Sequence, residues 1–159
     1  MAEETEIERY RYDQARAYLE HVRALSCRTS ALRAEVDAQR ELADGLKAIR
    51  YGECGARRAQ TDQMVETVAR LQELVKDYCA ELAAYVAEQE TAHGCVRLME
   101  RPEHVQAITS HYLLGRTWER VCVDMGYTWD GMMKMRRRAI TEFYDVMPTE
   151  WRDPRHPAI

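Results

Sequence analysis

The sequence predicts an all-α protein in which a long antiparallel helical hairpin precedes a small helical domain. Three observations carry that prediction. Glycine and proline number 7 and 4 in 159 residues, too few for the many tight turns of an all-β fold. Apolar side chains between residues 15 and 92 recur in steps of three and four, the helical repeat. Beyond residue 101 the periodic stretches shorten and are punctuated by Pro102, Gly115 and Gly126. With 46% apolar and 31% charged residues, the chain suits one compact domain, or a small domain with an elongated appendage; two full-sized domains and disorder throughout are excluded.

From Glu3 to Arg50 there is no proline, and Ala, Leu, Glu, Arg and Gln dominate. These side chains lose little freedom in a helix, so one long helix is expected. Ala15, Tyr18, Val22, Leu25, Thr29, Leu32, Val36, Gln39, Ala43 and Leu46 share one stripe of it. Thr29 and Gln39 are polar and Ala15 and Ala43 small, so packing along the stripe should be close but only moderately strong. Tyr51-Gly52-Glu53-Cys54-Gly55 then supplies two glycines able to take left-handed backbone angles, which places the reversal there. A cleaner stripe follows in Met64, Val68, Leu71, Val75, Tyr78, Leu82, Tyr85, Gln89 and Ala92, with His93-Gly94 as its stop. At 1.5 Å per residue the helices reach roughly 70 Å and roughly 55 Å, too long to wrap a globular core, so residues 1–94 should form an antiparallel coiled coil. Val65, Leu74, Cys79 and Val86 lack full cover in a two-helix arrangement, which is compatible with a homodimer through the coiled coil.

Residues 95–147 form the second domain. Pro102 suits a first helical position, and Val105, Ile108, Tyr112 and Leu113 share a face of a helix of about three turns that Gly115 ends. Thr117 caps a short helix with Trp118, Val121, Cys122 and Met125 inward. Gly126-Tyr127 makes a turn. Thr128 caps a helix from Trp129 to Tyr144 that buries Met132, Met135, Ala139, Ile140 and Phe143 and leaves Asp130, Met133, Lys134, Arg136, Arg137 and Arg138 outward. A short capped helix, a glycine turn and a longer basic helix constitute helix-turn-helix organisation. Residues 148–159 carry three prolines and are expected to be an extended tail, with Trp151 as an anchor.

Helix-turn-helix organisation points to double-stranded DNA. The first helix props the second, whose exposed half must fit a major groove about 12 Å wide, and Gly131 slims it. Trp129, Asp130, Met133 and Lys134 are candidates for reaching base edges. Arg136, Arg137 and Arg138 are candidates for phosphates, one of them for a guanine. Arg116, Thr117 and Thr128 sit at helix starts, where backbone N–H groups attract phosphate. The net charge of −4 divides into −5 over residues 1–95 and +1 over 96–159. With fields screened beyond about 10 Å, this limits any nucleic-acid surface to a small patch and excludes non-specific coating of DNA.

Neither metal nor cofactor is expected, and the protein does not read as an enzyme. The five cysteines form no CxxC pair, the five histidines no HxxxH or HExxH, and there is no GxSxG, phosphate loop or paired-carboxylate signature. The cysteines read as small buried hydrophobes and the histidines as surface or interface residues. An odd cysteine count, an acidic start without an apolar run and no stretch of about 18 apolar residues predict a cytoplasmic protein without a membrane partner.

Tyr112-Leu113-Leu114-Gly115-Arg116-Thr117-Trp118-Glu119-Arg120-Val121-Cys122-Val123-Asp124-Met125-Gly126-Tyr127 resembles the fourth region of bacterial sigma factors. That region shows a Tyr-rich helix, Gly, Thr or Ser, a hydrophobic-Glu pair and a Gly turn. The stretch is more similar still to phage and prophage late-gene regulators of the ArpU/RinA type, and to a related phage family with a coiled-coil front half. Trp118-Glu119, Met125-Gly126-Tyr127 and Arg138-Ala139-Ile140 match the core of those proteins. The resemblance covers residues 98–146, and the hairpin by architecture alone. Val121-Cys122 replaces the usual Ile-Ala, and Trp129 and Gly131 stand where small polar or charged residues are usual. The resemblance implies DNA binding in control of phage transcription, with RNA polymerase as a second partner. Two other readings compete: a packaging adaptor resembling a small terminase, assembled through the coiled coil, and a protein-interaction module built on a worn helix-turn-helix.

Overall fold

The computed structural model describes residues 2–50 and 57–153, with side chains over 6–45 and 61–153. The expected reversal at Tyr51–Gly55, the Leu46 side chain and residues 154–159 of the tail lie outside the described residues. Within them the protein is all α, with five helices and no strand: α1 (Ala2–Arg50), α2 (Arg57–Val96), α3 (Pro102–Ile108), α4 (Trp118–Met125) and α5 (Trp129–Val146). α1 and α2 are the arms of the antiparallel hairpin, and α4 and α5 form the helix-turn-helix.

Packing divides the chain elsewhere than after residue 94. One compact unit holds Met1–Ser26 together with Val86–Ile159, and the other holds Cys27–Tyr85. Three short helices have too little surface to bury their own apolar faces. In the first unit Ala15, Tyr18, Leu19 and Val22 of α1 and Ala92 and Val96 of α2 therefore share one buried cluster with α3, α4 and α5. Tyr18 is fully buried, stacked on Phe143 with ring centroids 5.9 Å apart, and its hydroxyl donates to the Glu88 carboxylate at 3.3 Å. Burial, then the Glu88 charge, pushes the Tyr18 phenol well above its ordinary pKa.

The same demand for cover carries α2 past the expected stop at His93-Gly94. It ends two residues later with Val96 buried, and Met99 folds back so that its N–H donates to the Val96 carbonyl at 3.1 Å. α3 starts on Pro102 and passes into a wider turn over Thr109–Leu113, where the Leu114 N–H reaches the Thr109 carbonyl at 2.9 Å. A widened turn brings more consecutive side chains to one side. His111, Tyr112 and Leu113 are accordingly all buried.

Burial of His104 and His111, 3% and 5% exposed, corrects the expectation of surface histidines. Each is hydrogen-bonded, as a buried polar ring must be. His104 Nδ1 meets a Glu142 carboxylate oxygen, while the other oxygen accepts the N–H groups of Glu100 at 2.9 Å and Arg101 at 3.4 Å. Burial pushes the Glu142 carboxyl up, but these donors outweigh it and hold it below the usual range. Of the cysteines read as buried, Cys122 is, Cys95 is half-buried, and Cys27 and Cys79 are exposed. The tail is turned rather than extended as far as Asp153. Thr149–Trp151 form one 3₁₀ turn, Trp151 packs edge-on to Tyr18 at 5.3 Å, and the Asp153 N–H donates to Gln14 Oε1 at 3.0 Å.

In the unit Cys27–Tyr85 the predicted stripes face one another and are incompletely covered. Thr29, Val36, Ala43 and Thr67 are buried, whereas Leu71, Leu74, Val75, Tyr78 and Leu82 are half-buried and Leu42 and Val65 are exposed. The Arg28 guanidinium bridges to Glu81 across the pair at 2.6 Å. No described helix is long and apolar enough to cross a membrane.

Candidate nucleic-acid interface

Local chemistry builds the helix-turn-helix. Thr117, in extended conformation, accepts the Arg120 N–H on its hydroxyl at 3.3 Å and starts α4. α4 ends on Gly126 at φ 69°, where an L side chain would be strained. The Gly126 N–H returns to the Val123 carbonyl at 3.3 Å and the Tyr127 N–H to the Cys122 carbonyl at 3.0 Å. Two such bonds satisfy the last carbonyls of the helix and fix the direction of the exit. Thr128 then accepts the Gly131 N–H at 3.2 Å and starts α5. Only three residues therefore separate the two helices.

Gly131 serves the cap. A Cβ there would stand 3.1 Å from the Thr128 hydroxyl oxygen and 3.6 Å from the Tyr127 ring. Its bareness lets Thr128 close over the first turn, in addition to any slimming of the helix.

The predicted inward residues face the core, and Tyr144 of α5, not among them, is fully buried as well. Trp118, Val121 and Cys122 of α4, and Met132, Met135, Ala139, Ile140 and Phe143 of α5, are buried, with Met125 packed against the same core. On the outward face Trp129 is 49% exposed, Asp130, Lys134, Arg137 and Arg138 are exposed, and Met133 is half-buried. Lys134, Arg137 and Arg138 have no ion-pair partner among the described residues.

Two predicted phosphate ligands are engaged within the protein. Arg136 is half-buried with its guanidinium carbon 5.1 Å from the centre of the Trp118 ring, an attraction between cation and π face. Arg116 bonds Asp124 at 2.9 Å, and Arg120 reaches the other oxygen of that carboxylate at 3.0 Å. Thr117 and Thr128 remain exposed, with their hydroxyls serving as caps. The structure therefore brings Trp129, Asp130, Met133, Lys134, Arg137 and Arg138 onto one open face. It turns Arg136 inward and closes Arg116 on a carboxylate.

Residues that position this face include some the sequence gives no sign of. His111 Nδ1 donates to the Arg116 carbonyl at 2.8 Å, immediately before the Thr117 cap. Its Nε2 faces Arg23 Nη1 of α1 at 2.6 Å and accepts from it. The ring stacks on Trp118 with centroids 4.1 Å apart. An imidazole that donates from one nitrogen and accepts at the other is neutral. Burial, and next the Arg23 charge, brings its pKa down to about 4. Arg23, His111, Trp118 and Arg136 thus form a ladder from α1 to the middle of α5. No spacing rule links residues so far apart in sequence.

Comparison with known proteins adds no relative, since no family model, curated protein or solved structure matches this chain.

Proposed function

We propose that the protein is a sequence-specific, double-stranded DNA-binding regulator of transcription, of the kind found in phages and prophages. One observation carries the reading: the exposed face of α5, on a doubly capped helix-turn-helix, holds Lys134, Arg137 and Arg138 without ion-pair partners among the described residues, beside an exposed Trp129. Unpaired cations supply phosphate attraction at little cost in broken ion pairs, and the neighbouring side chains supply contacts to base edges. The half-covered seam of the Cys27–Tyr85 unit supports pairing of two copies. A dimer would present two reading helices to half-sites roughly 34 Å apart.

The test is selection of bound fragments from random duplex DNA, followed by titration of the selected site at several salt concentrations. Arg137→Ala should weaken binding and lower the log–log salt slope by about one if the side chain neutralises one phosphate. Unchanged affinity on combined replacement of Lys134, Arg137 and Arg138 by Ala would remove the assignment. Light scattering separates the packaging alternative: a closed ring of many subunits supports an adaptor, whereas a monomer or dimer supports a regulator.

A further inference from the structure

α5 presents its outward side chains in a graded order. At roughly 100° per residue, the face runs from Trp129 through Met133, Arg137, Asp130 and Lys134 to Arg138. One edge is therefore largely apolar, flanked on its core side by the half-buried Arg136, whose Nη1 donates to Met133 Sδ at 3.9 Å, and the other is ionic. Followed toward the C-terminus, the apolar edge continues into Ile140 and Tyr144, both fully buried. It emerges over the first turns of α5, where Trp129 is 49% exposed and Met133 half-buried. The same row of side chains is thus core at one end of the helix and open surface at the other.

An apolar edge beside a row of cations suits a groove wall that is itself part apolar and part polar. In the major groove the apolar feature is the thymine C5-methyl group, and the acceptors are guanine O6 and N7. We propose that Trp129 and Met133 read thymine methyl groups, so that the recognised half-site carries thymine at the positions they cover, next to a guanine within reach of Lys134 or Arg137. This inference rests on the DNA-binding reading above and deepens it by naming the chemistry that selects the sequence. Asp130, between the two edges, favours a cytosine amino group over a phosphate.

The test changes the DNA and leaves the protein intact. A duplex carrying the selected site is compared with duplexes in which each thymine in turn becomes deoxyuridine, which removes the C5-methyl alone. Burying one methyl group is worth about fourfold in affinity. The expected result is a loss of about fourfold at one or two thymines of each half-site and no change at the others. The same replacements should then have no effect on Met133→Ala or Trp129→Ala, whichever residue covers that methyl group. Tight binding of the selected site that is indifferent to every deoxyuridine replacement overturns the inference and leaves the DNA-binding reading standing. Failure to retain any duplex at low salt overturns both.

Discussion

Acidification from pH 7 to pH 5 should weaken the folded state by about 2 kcal/mol through His111 alone. The imidazole is 5% exposed, accepts from Arg23 at Nε2, and uses its Nδ1 hydrogen on the Arg116 carbonyl. Arg136 is a second cation acting on it, and Glu119 the carboxylate that partly offsets them. Its pKa stands at about 4 against an ordinary value of 6.5. Between those values the unfolded chain takes up a proton that the folded chain refuses. The stability is therefore whole above pH 6.5, falls as pH drops, and has declined by about 3 kcal/mol once pH passes 4. Urea unfolding followed by circular dichroism at pH 7 and pH 5 measures the change, and His111→Gln should remove most of it while keeping one donor and one acceptor. Glu142, held below its ordinary 4.5, loses its contribution as pH falls through that value, below the interval from pH 7 to pH 5 that the assay compares. A His111 resonance titrating at pH 6 or above, or an equal pH effect in His111→Gln, would refute the reasoning.

The remaining predictions concern packing, turn and cap. Phe143→Ala, at a fully buried ring against Tyr18, should cost about 3–5 kcal/mol, read as a lower urea midpoint with an unchanged slope. Gly126→Ala forces a side chain into the left-handed region at φ 69° and should cost about 1–2 kcal/mol, whereas an alanine at Gly94, inside α2 with open space around it, should be tolerated or stabilising. Thr128→Ala removes the cap of α5 and should lower stability by about 1 kcal/mol, checked by thermal unfolding beside Thr128→Ser, which restores the acceptor.

What the sequence made legible was local. Thr117 and Thr128 act as caps, Gly126 makes the turn, and the five α5 residues that the period selected are all buried, with Tyr144 added, because each follows from neighbours within a turn or two. The coiled-coil stripes were legible for the same reason. What periodicity does not carry is which stripe meets which. Tyr18 and Val22 lie on a hairpin stripe, yet they complete the core of the small helices. Arg136 lies in a basic run, but Trp118 of α4 draws it inward. His111 carries no motif, and its role depends on Arg23, a residue 88 positions away.

The shared core also sets the timing of assembly. Tyr18 waits for Phe143 and Trp151, and Gln14 for the Asp153 amide, across 139 positions in the last case. Contacts so remote close slowly, since the chain between them must first give up its loop entropy. During synthesis Tyr18 leaves the ribosome well before Phe143 and Trp151 and lacks these partners until the chain has been translated past residue 151. The helix-turn-helix thus draws its support from segments made much earlier, and a fragment beginning at residue 95 would lack the floor on which it stands.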